Sequence, residues 1–153
     1  MPVVRRSRRI AASPERVWEV IADPSHMPRW WPSVKRMEGV GEDQFTQVLS
    51  TDKGRLVRAD FQVLVSEAPG AGGDGAGRRV WEQEMEGTPF ERFLDQSVTE
   101  VVVEGEDERT RVTIAMTQKL HGYSRTGGFL LRRATRSRVD EALRGLERIL
   151  TGV

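Results

Sequence analysis

Ser13–Val34 reads SPERVWEVIADPSHMPRWWPSV, and the fold turns on this stretch. Ser13 is placed to cap a helix. Pro14 suits the first helical position, where no N–H is needed, and Glu15 complements the positive end of the peptide dipole. Val17, Trp18, Val20 and Ile21 give that helix an apolar face. Asp23-Pro24 ends it after about two turns, because the residue before a proline is pushed out of the α region. Ser25–Trp30 then has room for a second short helix or turn, which Pro32 closes.

Outward from this stretch the period changes. A strand precedes it, roughly Val3 to Ala12, and two more fit between Val34 and Thr51. In RLVRADFQVLVSEAP, Val57, Ala59, Phe61, Val63 and Val65 share one face, and Arg58, Asp60 and Gln62 the other. In RRVWEQEMEG, Trp81, Gln83 and Met85 oppose Glu82 and Glu84. A long hairpin follows, with its turn near Glu104–Arg109. Val112, Ile114, Met116 and Leu120 form the inward set of its second arm, with Gln118 in the same phase. On the first arm Val101, Val103, Thr99, Ser97 and Asp95 share the inward face. From Thr126 to Leu150 a single helix is predicted. Leu131, Thr135, Val139, Leu143, Leu146 and Leu150 recur along one face of it, and Gly152 serves as its stop. The order is strand, two short helices, about six strands, long helix. Antiparallel strands with segregated helices define an α+β fold, in which a curved sheet wraps the amphipathic helix.

Composition narrows the field. The chain has 153 residues, which predicts one domain spanning 1–153 with a full core. It has no cysteine, so disulfides and cysteine-ligated metals are excluded. No long apolar run or signal-peptide pattern is present, and the expectation is a soluble, cytoplasmic protein without membrane insertion. With 24 basic and 23 acidic residues, overall charge gives no push toward nucleic acid. The arginines nevertheless cluster, at Arg5–Arg9 (RRSRR) and Arg132–Arg138 (RRATRSR). Their plain reading is solvated faces of a strand and a helix; the sharper one is a patch for an anionic partner. The glycine-rich Ala68–Arg79 reads as a mobile loop between two strands. It lacks the strand–helix context, lysine and hydroxyl residue of a phosphate-binding loop.

IAASPERVWEVIADPSHMPRWWPSV, Ile10–Val34, resembles the opening of the START-like helix-grip (SRPBCC) superfamily, and more narrowly its polyketide cyclase/dehydrase branch. The hairpin TEVVVEGEDERTRVTIAM, Thr99–Met116, looks like that family's last two strands, and the terminal helix completes the match across the chain. The resemblance implies a seven-stranded antiparallel sheet gripping the long helix around an elongated, largely apolar cavity. Members bind lipids, sterols, polyketides or other hydrophobic ligands. A few catalyse cyclisation or dehydration, and others are toxins, co-chaperones or carriers. The matching residues are caps, turns and packing positions, so they speak for fold more than for function.

On this frame the kinked segment lets one of Trp30 and Trp31 turn toward the cavity while its neighbour packs elsewhere. Expected ligand contacts from the strands are Phe61, Trp81, Gln83, Met85, Ser97, Thr99, Met116 and Gln118. Leu131 and Thr135 join them from the helix. Several inward polar groups on one concave face fit a solvated or ligand-filled cavity better than a dry core, because an unpartnered buried polar group costs about 1–3 kcal/mol. Arg132 or Arg136 is expected to flank the cavity, where a guanidinium suits a carboxylate or phenolate. Gly127 and Gly128 are expected at the helix entrance, where a hinge would gate the cavity.

Reactive groups are few. His26 and His121 are the only histidines, without metal-ligand spacing, so no metal and no cofactor is expected. No nucleophile-bearing motif occurs. An inward Asp95 would suit a general base, and His121 an acid or base at a cavity mouth. An arginine partner for Asp95, or a bulge turning it outward, are the alternatives. The leading expectation is binding of a small hydrophobic or amphipathic ligand. A cyclase or dehydratase using Asp95 and His121, and an interaction module using the arginine-rich surface, are the other readings. The sheet edges leave a homodimer open.

Overall fold

The computed structural model describes residues 3–70, 75–122 and 125–152, and at 125 and 126 the backbone alone. Seven strands are formed: β1 (Val3–Ile10), β2 (Val34–Glu38), β3 (Gln44–Ser50), β4 (Leu56–Glu67), β5 (Gly77–Gln83), β6 (Leu94–Glu106) and β7 (Arg109–Leu120). They make one antiparallel sheet in the order β1-β7-β6-β5-β4-β3-β2. Helix α1 (Pro14–Ala22), a 3-10 turn (Pro24–His26) and α2 (Met27–Trp30) follow β1, and α3 (Arg125–Thr151) ends the fold. This is the predicted helix grip. Among the described residues no helix is long and apolar enough to cross a membrane.

Local chemistry sets the boundaries. The Ser13 hydroxyl accepts from Arg16 N at 3.3 Å, and the Asp23 carboxylate caps the 3-10 turn by accepting from Ser25 N at 3.0 Å. Gly152 leaves α3 at φ +75°, its N–H donating to Arg148 O at 2.8 Å. The predicted glycine-rich loop is shorter than expected, since β5 already begins at Gly77; its centre, 71–74, lies outside the described residues. The β6–β7 turn is the two residues Asp107 and Glu108, within the predicted Glu104–Arg109.

Two bulges break the strict alternation read from the sequence. In β4 the register shifts between Val63 and Val65. Val63 pairs with the inward Trp81, but Val65 pairs with Val80 on the outer face. Ser66 is thereby turned in, where its hydroxyl accepts from the buried Arg79 Nη1 at 2.8 Å. In β6 the shift falls between Leu94 and Gln96. The extra residue is Asp95, so Leu94 takes the inward position expected for it.

The arginines of β1 do not all point to solvent. Arg6 and Arg8 share the phase of the buried Val4 and Ile10 and reach α3, pairing with Asp140 at 2.8 Å and Glu147 at 2.7 Å. Arg9 pairs with Glu106 at 3.2 Å. Much of the first arginine cluster is therefore matched within the chain.

The core lies between the concave face and α3. Val139, Ala142, Leu143, Leu146 and Leu150 of the helix are buried in it with Val17, Ile21, Met27 and Trp30. Gly145 allows α2 and α3 to touch. A Cβ there would lie 2.7 Å from Trp30 O and 3.0 Å from Trp30 Cα, which are backbone atoms that cannot step aside. Gly145→Ala gains about 1 kcal/mol of helix propensity but forces an overpacked crossing worth roughly 1–3 kcal/mol. A net loss of about 1 kcal/mol is expected, read as a Tm lowered by roughly 2–4 °C in a thermal melt. An unchanged or raised Tm would show that the crossing has slack.

Candidate functional site

The helix does not close on the sheet along its whole length. Between its N-terminal half and the concave face lies a cavity of about 250 Å³. At about 30 Å³ per molecule this is room for roughly eight waters, more than a packing defect. Its walls come from the middle strands: Gln47 and Leu49 of β3, Phe61 of β4, Trp81 and Gln83 of β5. Leu94, Ser97 and Thr99 of β6 and Met116 and Gln118 of β7 continue them. Phe90, from a 3-10 turn at Pro89–Arg92, and Trp31 close the sides, and Leu131, Ala134, Thr135 and Arg138 of α3 form the roof.

The tryptophan pair divides as the kink permits. Trp31 lines the cavity and meets Trp81 edge to face at 5.9 Å. Trp30 stands at 83° to Trp31 and is buried over Gly145 instead, so it is not a wall residue. Phe45 backs the same wall, stacked on Phe61 at 5.1 Å and edge-on to Trp81 at 6.1 Å. Such pairs each add about 0.5–1.5 kcal/mol beyond the area they bury, and they hold the rings in place.

Polar groups interrupt this apolar surface. The Thr135 hydroxyl donates to Gln118 Oε1 at 2.7 Å, a bond from helix to sheet across the cavity edge. Gln47 Nε2 is 3.3 Å from Met27 Sδ. Gln83 Nε2 is sealed from solvent and has no acceptor among the described residues. Arg138 is the single charged side chain among the lining residues. It keeps an exposed surface, which places it at the mouth rather than in the interior. The protein around its guanidinium still desolvates it enough to push its pKa below the usual arginine value, with Glu141 pulling the other way. Arginine stays protonated regardless.

Met85 is buried beyond the end of β5 and does not reach the cavity; the strand stops at Gln83, so the alternation that placed Met85 beside Trp81 does not extend that far. Asp95, expected to face in, is turned out by the β6 bulge. It meets His121, Nδ1 to Oδ1 at 2.7 Å, but the pair sits in the open with 41% and 61% of the side chains exposed. Neither lines the cavity. Gly127 and Gly128 lie in the first turn of α3. Arg132 and Arg136 are exposed and off the lining, where Arg138 stands instead. The signal for Arg138 was present: it is three residues from Thr135 and seven from Leu131, on the same helical face. Gln47 and Leu49 follow from the alternation with Phe45, whereas nothing local marks Phe90. Among the described residues no cluster of three or more His, Asp or Glu side chains is placed to hold a metal.

An open antiparallel sheet gripping a long helix, with a mixed-polarity cavity between them, is a START-like helix-grip fold. The chain belongs to the family described as polyketide cyclase / dehydrase and lipid transport, which it matches over residues 1–151. Among solved structures it is similar to a START superfamily protein from Mycobacterium smegmatis, with TM-score 0.75 at 11% identity, covering 98% of this chain and 97% of that one. A protein from Thermus thermophilus aligns with TM-score 0.72 at 23% identity, over 99% and 98% of the two chains. The di-domain ARO/CYC BexL from the BE-7585A biosynthetic pathway aligns with TM-score 0.77 at 16% identity, over 97% of this chain and 46% of that one. At these identities the likeness is one of fold. A comparison with curated proteins finds no match.

The Thr135–Gln118 bond gives the site a stability readout. Thr135→Val should cost about 1 kcal/mol by stranding the Gln118 carbonyl, and adding Gln118→Leu should recover most of it. A double-mutant cycle in urea is expected to show coupling of about 1 kcal/mol. Strict additivity would mean that the two groups do not meet in solution.

Proposed function

We propose that this chain binds a small hydrophobic or amphipathic molecule, lipid- or polyketide-like, in the cavity between the sheet and α3. The observation that carries the reading is the lining itself: four aromatic rings, aliphatic side chains and spaced amides and hydroxyls around about 250 Å³. Ligand sites are concave, mostly apolar and furnished with a few placed polar groups, at volumes of about 300–1,000 Å³. This cavity stands just under that range, so its occupant is small or projects through the mouth. Trp31, Phe61, Trp81, Ser97, Thr99, Met116, Gln118, Leu131 and Thr135 are its proposed contacts, with Gln83 offering a free donor.

Catalysis inside the cavity is the weaker reading. No carboxylate and no imidazole is among the described lining residues, so none of them offers a side chain of matched pKa for proton transfer there. Asp95 and His121 form a dyad, but on the outside. The interaction-module reading is likewise weakened, because Arg6, Arg8 and Arg9 are paired within the chain.

Native mass spectrometry of freshly purified protein tests the proposal. The expected result is a small hydrophobic species retained near one per chain, and its loss by at least about tenfold in Leu131→Trp, which places an indole in the cavity. Retention of the species by a folded Leu131→Trp variant would put the binding site elsewhere.

A further inference from the structure

We infer that the preferred occupant is a small monoanion, an aromatic or short-chain carboxylate, whose acidic group meets Arg138; the inference rests on the cavity being a binding site. Among the described residues the lining carries one positive charge and no negative one. Arg138 has no ion pair or hydrogen bond to another side chain among the described residues; burial of its guanidinium acts on it most, and Glu141 opposes that at a distance. The other two carboxylates of the helix are committed elsewhere: Asp140 to Arg6 and Glu147 to Arg8, both toward β1. Two of the three acids of α3 are thus drawn to the edge strand, and the third, Glu141, makes no ion pair with the guanidinium at the cavity mouth.

The remaining polar chemistry points the same way. Gln83 Nε2 is a buried donor without an acceptor, and the Gln118 carbonyl is already taken by Thr135. Gln83 Nε2 lacks an acceptor and the described lining carries no negative charge, and a carboxylate brings both. Guanidinium and carboxylate match as planar forks, and charge-assisted bonds are about twice as strong as neutral ones. A phosphate monoester fits less well, since it carries about two negative charges against a single cation. Trp31, Phe61, Trp81 and Phe90 supply flat apolar surface for the rest of the molecule, and about 250 Å³ has room for one or two fused rings or a short acyl chain.

Isothermal titration calorimetry with 2-naphthoate and its neutral counterpart 2-naphthalenemethanol, near neutral pH and at low salt, separates the two layers of the argument. The alcohol reports on the cavity, and the difference between acid and alcohol reports on the charge. Wild-type protein should bind the acid at least about tenfold tighter than the alcohol. Arg138→Gln should abolish that preference while leaving the alcohol within about twofold of wild type, and Arg138→Lys should keep part of it. A thermal melt checks that the exposed substitution leaves the fold intact. Equal binding of acid and alcohol to wild-type protein, or a preference that survives Arg138→Gln, overturns the inference and leaves the cavity reading standing. Binding of neither compound at millimolar concentration overturns both.

Discussion

Everything in this structure depends on how far one helix can close against a curved sheet. At about 1.5 Å per residue the 27 residues of α3 run for roughly 40 Å, comparable to the longest strands. The closure is tight only in the C-terminal half. There Val139, Ala142, Leu143 and Leu146 are buried, and Gly145 lets the backbone of Trp30 rest directly on the helix. Toward its N-terminal end the helix instead roofs the cavity. The side chains facing the sheet there change character, from aliphatic to the mixture Leu131, Ala134, Thr135 and Arg138. A dry core would select larger apolar residues at these positions, because interiors pack to near-crystalline density. Their absence is consistent with a gap kept open by the geometry of the crossing.

The same helix settles the electrostatics. Exposed ion pairs such as Arg6–Asp140 and Arg8–Glu147 contribute little stability, each about 0–1 kcal/mol. Their consequence is positional. They hold Asp140 and Glu147 on the side of the edge strand. The rotation of the helix about its axis is set by its buried stripe of Val139, Leu143 and Leu146, and in that rotation Arg138 stands among the described lining residues while no carboxylate does.

The fold was legible because its signals are redundant. Ser13, Pro14, Asp23 and Pro24 set the helix limits through local backbone chemistry, and alternation over several long strands leaves few ways to cover their apolar faces. The cavity was legible to the extent that inward faces were: Phe61, Trp81, Ser97, Thr99, Met116 and Gln118 all sit in phase with buried neighbours. What escaped is the set of one-residue irregularities. A bulge changes the phase of a strand without changing its composition, so Val65 and Asp95 read as inward and are not. Phe90 escaped for another reason, since it reaches the cavity from a short 3-10 turn that has no period to read. Arg138 was within reach, because counting along the helix from Leu131 and Thr135 lands on it and not on Arg132 or Arg136.

The Asp95 bulge bears most directly on chemistry. With strict alternation, a carboxylate would have entered the apolar cavity beside Ser97 and Thr99, where burial would raise its pKa into the range of a general base. The bulge removes it to the surface and gives it His121 as a partner, in a setting with high dielectric and no enclosed substrate site. One inserted residue thus separates the acid–base pair from the cavity. What remains is a cation at the mouth, with amides, hydroxyls and aromatic rings inside. Such groups orient and hold a molecule, and they can polarise it through fixed charge, but they do not take up or release its protons near neutral pH.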